Sequence, residues 1–169
     1  GYQDPRLEKY FTTSTLPQAV SVDAMGNYLA VPTGHDVSSN NTFKGASRPA
    51  ITTATPTYWM RASEVYFLLS EAALHGFPVG QTAEDLYKKG IETSFEENGI
   101  PSSEVDTYIS SGLTPLTYSL HMSNPNVNVD APAVTNATTE WTGTDEEKLE
   151  KIMIQKWIAL YPNGQEAWS

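Results

Sequence analysis

The stretch TPTYWMRASEVYFLLSEAALHG, residues 55–76, is followed after a short link by a second helical block at 82–99, and this pairing limits the architectures open to the chain. Thr57 behind Pro56 stands where a helix N-cap belongs. Apolar side chains recur at Tyr58, Ala62, Val65, Leu69 and Ala72, with Tyr66, Leu68 and Ala73 widening the stripe, and Gly76 supplies a left-handed stop. In the second block Thr82 and Asp85 have capping-box spacing, Leu86, Ile91 and Phe95 form an apolar face, and Asn98-Gly99 closes it. Ala83, Gly90 and Ser94 beside that face permit close approach of a partner helix. Helices joined by so short a link pack antiparallel. The prediction is a mostly α fold on a helical hairpin of the tetratricopeptide kind; a generic hairpin fits the periodicity equally well, because no second copy recurs at a period of about 34 residues.

A third helical face, Leu149, Ile152, Met153, Trp157 and Leu160, runs over 145–161 behind a capping box of Thr144 and Glu147. Pro162-Asn163-Gly164 then turns the chain and Gln165 to Trp168 open a further helix whose first turn is all that follows. A helix that short does not repay its own nucleation, so the expectation is an internal piece of a longer protein. Ser103 is expected to cap a short helix at 104–110. The remaining stretches are irregular: residues 1–55 are dense in Pro, Gly and Asn punctuation with one helical turn expected at 5–11, and 112–143 are polar with Asp130 and Glu140 as their charges. The aromatics Trp59, Tyr66 and Trp157 are expected in the core.

Charge and composition exclude several functions. A formal net charge of −10, with Lys88-Lys89 the longest basic run, repels phosphate backbones, so no nucleic acid partner is expected. No apolar run approaches the roughly 20 residues of a membrane span, and GYQDPRLEKYF is not a signal sequence. The absence of cysteine excludes disulfides, thiolate catalysis and thiolate-bound zinc, and leaves the redox compartment open.

The chain carries no nucleophile elbow, no zinc-helix pattern and no phosphate loop. His35, His75 and His121 are too scattered for a ligand set, and His75 has a sufficient role at a helix C-terminus, complementing its dipole. Asn124, Asn126, Asn128 and Asp130 alternate like the start of a calcium loop, without the loop's glycine or its twelfth-position glutamate, and read better as an Asn-rich turn. Asn40-Asn41-Thr42 and Asn136-Ala137-Thr138 match the glycosylation triplet, which means little by itself. No catalytic residue, metal or cofactor is expected. The loop composition points to binding: Tyr28, Tyr118 and Trp141, with Tyr108 at the border, lie among Asn128, Asp130 and many hydroxyls. Flat aromatic faces pack on the C–H faces of sugar rings while amides and carboxylates take sugar hydroxyls. The same residues also serve as anchors of an ordinary surface loop.

WMRASEVYFLLSEAALHG, YKKGIETSFEENGI and EEKLEKIMIQKWIALYPNGQEAW together resemble the SusD/RagB family of nutrient-binding outer-membrane lipoproteins of Bacteroidetes, in its SusD-like branch. DPRLEKYF and NYLAVPTG also look like family stretches, with Ala30 where the family often has glycine. The resemblance covers nearly the whole chain. It implies a protein about three times this length, lipid-anchored at the cell surface through a cysteine outside these residues. The implied scaffold is tetratricopeptide-like, decorated by long irregular insertions, and non-enzymatic. Such a scaffold captures glycans or other nutrients for polysaccharide utilisation and docks on a TonB-dependent transporter of the SusC type. On this reading residues 1–169 are a fragment of one SusD-like domain: 1–56 loop-rich, 57–99 a helix pair, 100–144 a loop-rich insertion, and 145–169 the start of a further pair. The alternative is a helical protein-interaction module with no glycan site in these residues. The family's ligand platforms have no fixed motif, so Trp141, Tyr118, Tyr28, Asn128 and Asp130 are candidates from composition and position.

Overall fold

The computed structural model describes residues 1–16, 27–32, 34, 41–122, 126 and 128–168. In chain order the elements are α1 (Leu7–Tyr10), α2 (Ala62–Leu74), α3 (Ala83–Glu97), a 3-10 turn (Ser102–Glu104), α4 (Val105–Ile109), β1 (Tyr118–Leu120), β2 (Val129–Ala131), α5 (Asp145–Ala159) and α6 (Gly164–Trp168). They fall into a helical unit, Tyr2, Ala54–Leu113 and Ala137–Ser169, and a loop-rich unit, Gly1, Gln3–Thr53 and Thr114–Asn136. Among the described residues no helix is long and apolar enough to cross a membrane.

In the helical unit α2 and α3 run antiparallel, tied at one end by Glu97 and at the other by Ser70, whose hydroxyl donates to the Ala83 carbonyl at 2.7 Å. α3 follows its sequence signals except that the expected Thr82–Asp85 capping box is one-sided, the Asp85 carboxylate accepting the Thr82 hydroxyl at 2.7 Å instead of the Thr82 amide. Thr82 accepts the Asp85 amide at 3.1 Å as N-cap, and Leu86, Ile91 and Phe95 are buried. The small residues act as expected: a Cβ built on Gly90 would stand 2.6 Å from the ring of Phe67. That ring therefore lies on the α3 backbone, and it meets Tyr87 edge-on at 6.4 Å. Phe67, Tyr87, Ile91, Phe95 and, from α5, Ile152 form the centre of the core. Burying each such side chain stabilises the unit by roughly 1.5–3 kcal/mol.

α2 departs from its expected start and face. Residues 57–61 are not helical, Thr57 is not its cap, and Arg61 sits extended at the N-cap without a side-chain cap bond. Glu97 of α3 takes that role, its carboxylate accepting the Ser63 amide at 3.1 Å and the Ser63 hydroxyl at 2.8 Å, with the Arg61 guanidinium 3.5 Å away. Ser63, Phe67 and Ser70 are the buried positions of α2, whereas Val65 and Leu68 are exposed. The rim hydroxyls fit there because α3 supplies their acceptors, so polarity did not mark the outer face.

Two of the aromatics expected in the core are outside it. Trp59 is 91% exposed, in a bend ahead of the helix that begins at Ala62, and Trp157 is 60% exposed. Tyr66 is half-buried. On α5 the inward positions are Lys151, Ile152, Gln155, Lys156 and Ala159, a face rotated away from Trp157. Its buried amide has a partner, since Gln155 Nε2 donates to the Tyr108 hydroxyl at 3.0 Å. The Thr144 and Glu147 capping box forms reciprocally, and Glu147 is held below the usual carboxylate range by the Thr144 amide first and its hydroxyl second.

Tyr2 joins the helical unit, donating its hydroxyl to the Ala137 carbonyl at 2.8 Å. Burial first, and then the charge of Glu150, pushes its pKa up to about 12 from 10.0. The neutral phenol is the form the fold favours, so this contribution is complete below pH 10 and is lost as pH rises from there through about 12. A difference titration at 295 nm between the parent and Tyr2→Phe is expected to show a tyrosine ionising near the upper value; ionisation of that residue near 10 would contradict the burial.

The loop-rich unit is stitched by backbone pairs distant in sequence: Thr12 to Arg48, Ser14 to Asn27, Thr15 to Gly45 and Ser47 to Leu29. Asp4 grips the buried Arg6, accepting from Nε at 2.9 Å and from a terminal guanidinium nitrogen at 2.5 Å, so the charge inside the DPRL stretch is paired locally. Leu29, Ala46 and Leu120 form a small core. β1 and β2 pair antiparallel, with Tyr118 opposite Ala131, Ser119 opposite Asp130 and Leu120 opposite Val129.

Candidate functional site

Trp141 lies in the segment leading into α5, and the helical unit holds that segment from several sides. Thr139 donates its hydroxyl to the carbonyls of Tyr108 and Ile109 at 2.8 and 2.9 Å, and its own carbonyl accepts from the buried Tyr87 hydroxyl at 2.9 Å. Lys151 donates to the carbonyls of Glu140 and Thr142 at 2.7 and 2.9 Å. The half-buried Trp141 ring leans on Tyr87, with centroids 5.0 Å apart at 37°, and the Lys148 ammonium lies over it 5.8 Å from the centroid. An aromatic with part of its surface in solvent, on a rigid base, is suited to stacking on a ligand.

The other candidates stand in the loop-rich unit. Alternation along the hairpin separates them. Tyr118 turns with Leu120 toward the small core; its hydroxyl donates to the Ala30 carbonyl at 2.6 Å, and burial raises its pKa. Asp130 is exposed and clustered with Ser119 and His121: the serine hydroxyl donates to its carboxylate, and His121 Nε2 is 3.0 Å from both oxygens. These bonds, Ser119's first, hold the Asp130 carboxyl below its usual range. Asn128 accepts the Met122 amide at 2.7 Å. Tyr28 is half-buried beside the core residue Leu29. The structure thus brings Tyr118, Asn128, Asp130 and Tyr28 into one unit, with Tyr118 and Asp130 on opposite faces of the hairpin, and places Trp141 in the other unit.

Sequence reasoning missed Ser119 and His121 as partners of Asp130, and Tyr87, Thr139 and Lys151 as the base of Trp141. Strand alternation could have found Ser119 and His121; nothing local marked the other residues. Asn124 and His35 lie outside the described residues, and among the described residues no group of three or more His, Cys, Asp or Glu side chains could hold a metal ion. A shallow recess in the helical unit is lined by Tyr58, Trp59, Met60, Glu64 and Glu166 among others. Glu64 there is raised above its ordinary value by burial first and by the Glu166 charge second.

A tetratricopeptide-like helical scaffold whose long irregular loops gather into a unit of their own is the class these features define. The chain belongs to the SusD-like family, described as Susd and RagB outer membrane lipoprotein, which it matches over residues 1–169. It is similar to a SusD-like protein from Bacteroides thetaiotaomicron, at 32% identity and a TM-score of 0.84, covering 99% of this chain and 34% of that one. A second SusD homologue from the same organism matches at 34% identity and a TM-score of 0.81, over 99% and 34% of the respective chains. A chitin-binding SusD homologue from Flavobacterium johnsoniae matches at 36% identity and a TM-score of 0.77, over 99% and 33%. The chain therefore spans about a third of the length of these relatives. No curated protein matches it.

Proposed function

We propose that this chain is part of a non-enzymatic cell-surface glycan-binding protein, lipid-anchored in the outer membrane, that captures oligosaccharide and passes it to a TonB-dependent transporter of the SusC type. The observation that carries the reading is the match, over 99% of the chain, to a homologue whose own description is chitin-binding. The site geometry is compatible with it: capture needs an aromatic face and directional polar groups rather than a perturbed acid–base pair. Trp141 is assigned the stacking surface. Separately, within the loop-rich unit, Tyr28, Asn128 and Asp130 are assigned contacts of that unit's own surface, Asp130 presenting its carboxylate to solvent, and Tyr118 acts by holding the hairpin.

Affinity electrophoresis of the chain and of Trp141→Ala, in gels containing soluble chitin derivatives, xylan, starch or host glycans, tests the assignment. The parent is expected to be retarded by at least one polysaccharide and Trp141→Ala to lose about tenfold or more in affinity, with its helical circular dichroism kept. Unchanged retardation removes Trp141 from the site.

A second reading, a helical interaction module, has its own support in the exposed apolar side chains of Tyr58, Trp59 and Met60 around the recess. It is favoured if no polysaccharide retards the parent.

A further inference from the structure

Lys151 poses a problem that the fold alone does not explain. It is 6% exposed, on the inward face of α5, and burying an ammonium costs several kcal/mol unless its protons are satisfied. Its hydrogen bonds among the described residues go to neutral oxygens: the Glu140 carbonyl at 2.7 Å, the Thr142 carbonyl at 2.9 Å, and, more weakly, the hydroxyls of Thr142 at 3.3 Å and Thr138 at 3.4 Å. The ammonium behaves as an internal cation in a cage of loop oxygens, and the loop it organises is 138–142.

Trp141 lies between the two residues whose carbonyls Lys151 holds, Glu140 and Thr142. The Glu140 carbonyl belongs to the peptide preceding Trp141, and Lys151 fixes it. The same carbonyl accepts the Thr142 amide at 2.9 Å, and that amide belongs to the peptide following Trp141. Both peptide planes that set the tryptophan's backbone angles are thus tied to one oxygen, in the closed three-residue pattern of a γ-turn, and that oxygen is held by Lys151. Tyr87 supports the ring from the core side. We infer that Lys151 is the positioning residue for Trp141: its buried ammonium clamps the peptides flanking the tryptophan and so sets the direction in which the ring is presented to ligand. The inference rests on the reading of Trp141 as a glycan contact, but the clamp itself is measurable without any glycan.

The test uses the full chain with Trp59, Trp157 and Trp168 changed to Phe, which leaves Trp141 as the single tryptophan. Acrylamide quenching of its emission is compared for Lys151, Lys151→Met and Lys151→Gln, below the unfolding midpoint of each, and chitohexaose affinity is measured on the same proteins. The methionine variant keeps the stem and removes every donor; it is expected to raise the quenching constant two- to threefold and to weaken chitohexaose binding by tenfold or more. The glutamine variant, which retains an N–H donor on a shorter side chain, is expected to fall between. A folded methionine variant with quenching unchanged overturns the clamp and reduces Lys151 to a general stabiliser. Raised quenching, with chitohexaose affinity unchanged in both Lys151→Met and Trp141→Ala, keeps the clamp and overturns the ligand role of Trp141.

Discussion

Phe67→Ala is expected to destabilise the helical unit by about 4 kcal/mol. The ring is fully buried, lies on the bare backbone of α3 at Gly90 and meets Tyr87 edge-on. Its neighbours are backbone and large side chains that cannot collapse into the space, so the transfer loss and the cavity cost add. The check is urea unfolding followed by helical circular dichroism, with the midpoint falling and the slope unchanged. A loss under about 1 kcal/mol would mean that the hairpin repacks without this ring.

The second large effect comes from the other side of the same contact. Gly90→Val is expected to cost about 3 kcal/mol, because its Cβ alone would stand 2.6, 2.8 and 2.9 Å from ring atoms of Phe67. The ring is enclosed, so relief requires α2 and α3 to separate. Gly90→Ala makes the same first clash but recovers up to about 1 kcal/mol of helix propensity, and should lose less. Because Phe67 and Gly90 share one space, Phe67→Leu with Gly90→Ala is expected to lose less than the two single changes summed. Strict additivity in thermal or urea unfolding would contradict the close approach.

α3 was the most legible element. Its cap, its apolar spacing and its small residues all act locally, and Thr82, Leu86, Gly90, Ile91 and Phe95 do what their positions suggested. α2 was legible as a helix but not in its start or its face. Its cap comes from Glu97, 34 residues onward, and its buried edge holds Ser63 and Ser70, whose hydroxyls are tolerable only because Glu97 and the Ala83 carbonyl accept from them. Hydrophobic periodicity has no access to such partners. The same holds on α5, where Lys151 and Gln155 turn inward because loop carbonyls and Tyr108 wait for them, and Trp157 is left outside.

The loop-rich unit was opaque for a related reason. Pairs such as Thr12 with Arg48 join residues tens of positions apart without a repeating pattern. For the candidate site, residue type was readable and grouping was not. The hairpin register puts Asp130 with Ser119, and Tyr118 on the opposite face, while Trp141 sits in the other unit. The family resemblance is carried instead by long runs such as EEKLEKIMIQKWIALYPNGQEAW, in which the order of residues along the chain, and not their burial, is the signal.

Isothermal titration of the unmodified 169-residue chain with chitohexaose, cello-, xylo- and malto-oligosaccharides tests the central claim most directly. Saturable binding to at least one of them, accompanied by a change in tryptophan emission that Trp141→Phe abolishes, is the predicted result. No heat with any oligosaccharide, from a chain whose circular dichroism shows the helices folded, would contradict the claim that these residues carry a glycan site.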